Sequence, residues 1–116
     1  MGGAVDQEKL DSVIGKGSKI KGEINAQGGV KLDGKVVGNI NITGQFIAGK
    51  DAEVKGNVNC LEAIIGGRIS GNVTAQRKVE LKKGARVIGD IICRGLIIED
   101  GVFFEGSCKM GEKKGQ

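Results

Sequence analysis

The chain has 116 residues, room for one domain, with 22 glycines and no proline, which argues against a Gly/Pro-rich linker and suits a chain whose N–H groups enter strand ladders. Aromatic residues are 3% (three Phe, no Trp or Tyr), too few for an ordinary globular core built around large rings. Histidine is absent, removing the commonest general base and metal ligand, and the net charge of +4 is mild.

Residues 1–11 lack a basic region followed by an apolar one, and no apolar run approaches the ~18 residues of a membrane span. They are expected to form a flexible tail. From Ser12 a pattern begins: apolar, any residue, glycine, polar, apolar. It runs Ile20-Lys21-Gly22-Glu23-Ile24, then Val36-Val37-Gly38-Asn39-Ile40, then Val54-Lys55-Gly56-Asn57-Val58. It returns as Ile69-Ser70-Gly71-Asn72-Val73, Val87-Ile88-Gly89-Asp90-Ile91 and Phe104-Glu105-Gly106-Ser107-Cys108. The central glycines recur every 15 to 18 residues, the signature of stacked repeats.

Side chains two apart along a strand share a face, so the apolar positions flanking each glycine point inward. The same reading turns Ala26, Ile42, Cys60, Ala75, Cys93 and Met110 inward, and Glu23, Asn39, Asn57, Asn72, Asp90 and Ser107 outward. A further inward pair follows in each repeat: Val30/Leu32, Phe46/Ala48, Ala63/Ile65, Val79/Leu81 and Leu96/Ile98, with Ser12/Ile14 in the first turn. The register at Ala63-Ile64-Ile65 is ambiguous by one residue. Corners of two lengths close each repeat, as at Lys82-Lys83-Gly84 (long) and Asp33-Gly34 (short).

Three short strands and three corners make one coil, with glycine at a bend that only a residue without Cβ takes cheaply. An antiparallel meander would need two-residue turns such as Asn-Gly at each of its reversals, and no Asn-Gly occurs. The fold expected is an all-β, right-handed parallel β-helix (solenoid) of triangular cross-section and about six windings, over residues 12–110. Residues 111–116 are expected to form a second flexible tail. The left-handed alternative, built from strict six-residue units in histidine-dependent acyltransferases, fits neither the spacing nor the composition.

Catalytic readings fail in turn. Carboxylates are scattered among short corners rather than facing each other across a groove. Gly15-Lys16-Gly17-Ser18-Lys19 resembles a phosphate loop only superficially, because no helical period follows it. The three cysteines, Cys60, Cys93 and Cys108, lie far apart and read as reduced, buried hydrophobes of a cytosolic protein. The densest basic stretch, Arg77, Lys78, Lys82, Lys83 and Arg86, reads as solvated β-corners, and without interleaved aromatics no nucleic-acid partner is expected. The chain is read as a non-enzyme with no cofactor and no metal.

The run from Val13 to Ile24, followed by the repeats above, resembles the bactofilin family of bacterial cytoskeletal proteins from Ser12 to Met110. The resemblance implies a right-handed triangular β-helix that polymerises end to end, head-to-head and tail-to-tail, into non-polar filaments without nucleotide. It further implies a cytoplasmic scaffold for cell shape or polar proteins, with cell-wall enzymes and the inner membrane surface as partners. Some members carry a membrane-targeting segment at the N-terminus; here that tail holds Asp6, Glu8 and Asp11, with Val5 and Leu10 its bulkier apolar residues.

A pile of rungs also has two open ends, and stable monomeric solenoids cap them with polar repeats. This sequence shows no amphipathic capping helix. In the last rung Phe103 stands where earlier rungs carry Lys19, Lys35, Glu53, Arg68 and Arg86. A polymerisation interface is therefore expected from Val102, Phe103, Phe104, Cys108 and Met110 at one end and from Ile14, Ile20 and Ile24 at the other. Outward Ile47, Ile64, Ile88, Ile92 and Ile97 offer a lateral or tail contact. The competing function is a monomeric or dimeric binding module for wall polymer or an anionic membrane.

Overall fold

The computed structural model describes residues 12–110. Alternating apolar residues and glycine bends produce eighteen strands of three or four residues, and every pairing between them is parallel. Three six-stranded sheets result. Sheet A stacks β1 (Ser12–Ile14), β4 (Val30–Leu32), β7 (Gln45–Ala48), β10 (Glu62–Ile65), β13 (Lys78–Leu81) and β16 (Gly95–Ile98). Sheet B stacks β2 (Lys19–Lys21), β5 (Lys35–Val37), β8 (Glu53–Lys55), β11 (Arg68–Ser70), β14 (Arg86–Ile88) and β17 (Phe103–Glu105). Sheet C stacks β3 (Ile24–Ala26), β6 (Ile40–Ile42), β9 (Val58–Cys60), β12 (Val73–Ala75), β15 (Ile91–Cys93) and β18 (Cys108–Met110). The chain visits A, B and C in rotation, so the molecule is a three-sided β-solenoid with five rung-to-rung steps. No helix of the described residues is long and apolar enough to cross a membrane.

The core is the axis of this prism, filled by the alternating inward residues. Leu32, Val36, Phe46, Val54, Ile65, Val79, Leu81, Val87 and Ile91 are fully buried, and no polar or charged residue of the described chain is. Each such aliphatic side chain contributes about 1.5–3 kcal/mol by leaving water. Pairing of Ala63 with Val79 and of Ile65 with Leu81 fixes the ambiguous register, with Ile64 facing out. Two residues outside the inward pattern complete the core: Ala52 and Ala85 plug the long corners.

Glycine determines how tightly rungs stack where sheet B bends into sheet C. Gly38 and Gly56 have φ of 141° and 146°, a region that L side chains rarely adopt. A Cβ on Gly56 would also overlap the carbonyl oxygen of Gly38 in the rung before, and the same overlap recurs at Gly71, Gly89 and Gly106. With no side chain in the way, the backbone ladder continues through the bend: Gly38 N–H donates to Lys55 O at 2.8 Å and Gly56 N–H to Ser70 O at 2.9 Å.

Gly56→Val is therefore expected to lower stability by about 3 kcal/mol or more, from combined strain and overlap. Gly15→Ala, where an added Cβ meets nothing within 4 Å, should stay within about 0.5 kcal/mol. Urea unfolding followed by far-UV circular dichroism distinguishes the two.

Candidate functional site: the open C-terminal rung

Strands β16, β17 and β18 each pair on one side only, so the last rung presents a free edge on all three faces. In interior rungs the residue two after the bend glycine also donates along the axis, as Ile91 N–H does to Ser107 O at 2.8 Å, while Gly89 N–H reaches Glu105 O at 2.9 Å. Gly106 and Cys108 hold the same positions in the final rung. Their N–H groups point toward a further rung that the described chain does not supply.

The apolar cross-section is open at this end. Val102, Phe104 and Cys108 are half-buried against the core, together with Leu96. Met110, expected inward, is 56% exposed, and Ile98, also expected inward, is 48% exposed. Both expectations fail for one reason: an inward side chain is covered by the rungs above and below it, and the last rung has only one neighbour. Ile98 is the end-face residue that sequence reasoning missed. Its signal was the absence of a seventh inward pair after Leu96 and Ile98.

Phe103 points out from sheet B as expected, and the Arg86 guanidinium lies 4.7 Å from its ring centroid. The other end differs. Ile24 is 1% exposed and Ile14 is 9% exposed, so of the three residues expected there only Ile20 is half-buried. The structure thus brings the C-terminal set together and withdraws Ile14 and Ile24 from the surface.

The five outward isoleucines do not form one stripe. Ile47 and Ile64 are register neighbours on sheet A and half-buried, but Glu80 stands between Ile64 and Ile97. Ile88 lies on sheet B and Ile92 on sheet C, either side of the Gly89 bend. All but the first two sit near the C-terminal end.

Sheet C carries amide ladders. Asn59 Nδ2 donates to Asn41 Oδ1 at 2.8 Å, and Asn41 Nδ2 to Asn25 Oδ1 at 3.1 Å. At the bend, Asn39, Asn57 and Asn72 each accept from the backbone N–H one rung later, at 3.2 Å. These bonds tie rung to rung. Beside them runs a groove of about 560 Å³ with Gln27, Asn41, Asn59 and Gln76 among its walls, rich in neutral hydrogen-bonding groups. Among the described residues no three His, Cys, Asp or Glu side chains gather where a metal could bind.

The cysteines are free thiols. Burial, assisted by Glu62, pushes Cys60 up to about 12, and burial next to Cys108 pushes Cys93 up to about 11. A thiol that stays protonated in the fold but ionises in the unfolded chain favours the fold below the unfolded value, about pH 9, and loses that contribution as pH rises toward 11 and 12.

The model of the family described as bactofilin, polymer-forming cytoskeletal, matches residues 12–109. The chain belongs to the bactofilin family. It is 34% identical over 104 residues to bactofilin BacO of Myxococcus xanthus, covering 90% of this chain and 82% of that protein. It is 32% identical over 102 residues to bactofilin BacP of the same organism, covering 88% of this chain and 42% of the relative. No solved structure gives a significant match. In bactofilin terms, the match begins with β1 and ends inside β18, so it covers the solenoid and its open rung up to Lys109, one residue short of Met110.

Between about pH 8 and pH 10 the fold should lose up to about 1.4 kcal/mol per buried thiol, and Cys60→Ala should flatten that decline. Urea midpoints measured across this range test it; a parallel decline in wild type and variant would contradict the assignment.

Proposed function

We propose that this bactofilin is a cytoplasmic scaffold that polymerises end to end through its terminal rungs, without nucleotide, into non-polar filaments. The observation that carries the reading is the open C-terminal rung: Ile98, Phe103 and Met110 exposed, Val102, Phe104 and Cys108 half-covered, and the β16–β18 edge unpaired. Free strand edges template further pairing, and a large apolar side chain contributes about 1.5–3 kcal/mol when a partner covers it.

The difference between the ends supports like-to-like joining. A head-to-tail junction would set the exposed apolar rung against an end where Ile14 and Ile24 are already buried. A two-fold junction between C-terminal rungs buries apolar against apolar on both sides and is self-complementary. The N-terminal junction then rests on Ile20 and the free edges of β1, β2 and β3.

Nucleotide has no evident role in this scheme. Gly15 to Ser18 form a corner that enters strand β2, where a phosphate loop would open a helix. Stacked in a filament, the three side faces become continuous stripes on which cell-shape or polar proteins, cell-wall enzymes among them, can be held. The second reading, a monomeric or dimeric binding module, draws on the amide-lined groove of sheet C.

Phe104→Arg should leave a folded chain that stays in the supernatant at concentrations where wild type sediments in plain buffer. Undiminished polymer from that variant would refute the interface, and wild type remaining in the supernatant throughout would favour the binding module. Independently, alkylation of half-exposed Cys108 should slow at least tenfold when the protein is polymerised, while buried Cys60 and Cys93 resist labelling in both states. Mass spectrometry of iodoacetamide-treated monomer and polymer reads this directly.

A further inference from the structure

The three faces differ in charge, and the difference does not follow the linear order of the basic residues. The densest basic stretch is dispersed: Lys78 lies on sheet A, Lys82 and Lys83 on a corner, and Arg86 on sheet B. Sheet B instead gathers outward cations from five different rungs: Lys19, Lys21, Lys35, Lys55, Arg68 and Arg86. Its acids are Glu53 and Glu105. Six basic against two acidic residues give this face +4, the formal charge of the entire chain, and the remaining twelve basic and twelve acidic residues cancel.

This charge is poorly compensated within the fold. Lys19 stands directly opposite Lys35, and Arg68 directly opposite Arg86, one strand spacing apart, with Glu53 alone between the two like-charged pairs. Like charges directly opposite each other on a sheet are destabilising. Among the described residues, Lys35 with Glu53 at 3.8 Å is the one ion pair on this face. Elsewhere four cations of the described chain have a partner, among them Arg77 with Glu62 at 3.6 Å, Lys82 with Glu80 at 2.7 Å and Lys16 with Asp51 at 3.7 Å. Sheet C carries amides in the corresponding positions.

Apolar side chains are interspersed with the cations. Ile88 is 44% exposed and Phe103 43% exposed on the same face, with Arg86 over the Phe103 ring. Beside them a shallow depression of about 390 Å³ is lined by Arg68, Arg86, Ser70, Ile69 and Ile88, with Glu53 as its one carboxylate. Cations that meet headgroup phosphates and apolar side chains that enter the acyl boundary are what a bilayer interface takes up. A nucleic-acid duplex would accept the cations and leave Ile88 without a partner.

We propose that sheet B is a membrane-facing surface, which holds the solenoid flat against a bilayer rich in anionic phospholipid through Lys19, Lys21, Lys55, Arg68 and Arg86. In a filament the same face repeats along the axis, and weak contacts of single subunits add up to avid binding. The proposal deepens the scaffold reading by giving the filament a docking side, and its test has a readout separate from assembly.

The experiment is flotation of the full chain on a density gradient with vesicles of phosphatidylcholine alone or mixed with phosphatidylglycerol. Wild type should float with the mixed vesicles, fail to float with neutral ones, and be released by raised salt. Lys55→Glu with Arg68→Glu should cut the floating fraction at least tenfold, since each cation near an anionic leaflet strengthens binding about fivefold. Lys31→Glu with Lys78→Glu, the same charge change on sheet A, should stay within about twofold of wild type. Sedimentation without lipid must be unchanged for both pairs, which separates this face from self-assembly; if the Glu pair fails there, Lys55→Gln with Arg68→Gln replaces it. Absence of flotation, equal flotation on neutral vesicles, equal loss in both pairs, or binding of duplex DNA in place of vesicles would overturn the proposal.

Discussion

No rung of this molecule has a core of its own. A single coil is one strand thick, so each inward side chain is buried by the coil before it and the coil after it. Phe46 and Ile65, with neighbours on both sides, are wholly buried, whereas Ile98 and Met110, with a neighbour on one side, are about half exposed. The same rule governs the backbone, because rung-to-rung hydrogen bonds run parallel to the axis. Stability therefore arises between rungs, and the C-terminal rung is incomplete in both its side chains and its amides.

Glycine makes this dense stacking possible at the bend from sheet B to sheet C. There the backbone of each rung sits directly on the backbone of the one before, with no room for a Cβ and with φ in the positive range. The Asn side chains next to those glycines extend the contact, since their carbonyl oxygens accept backbone N–H groups of the following rung. Sheet pairing, glycine and amides act along one direction, the filament axis in the scaffold reading.

Most of the solenoid was legible in the sequence because its determinants are local and periodic. The five-residue motif, alternation of inward and outward residues and the two corner lengths each recur within one repeat. What was not legible depends on which rung a residue belongs to. Met110 and Ile98 obey the inward pattern and are exposed all the same; Ile24 obeys it in the first rung and is buried. A pattern shared by every repeat carries no information about where the stack stops. The basic face was hidden for a related reason: Lys19, Lys35, Arg68 and Arg86 are 16 to 67 residues apart in the chain and lie in one column of sheet B. The linear cluster near Arg77, by contrast, turns a corner twice and is scattered.

Continuity of the rung stack across subunit junctions is the central claim, and fibre diffraction from aligned specimens of the purified chain in nucleotide-free buffer tests it most directly. The account predicts unbranched filaments with a sharp meridional reflection at about 4.8 Å, because every strand, including those at each junction, lies across the filament axis. Solitary particles at high concentration, or filaments whose strands run along the axis, would contradict it.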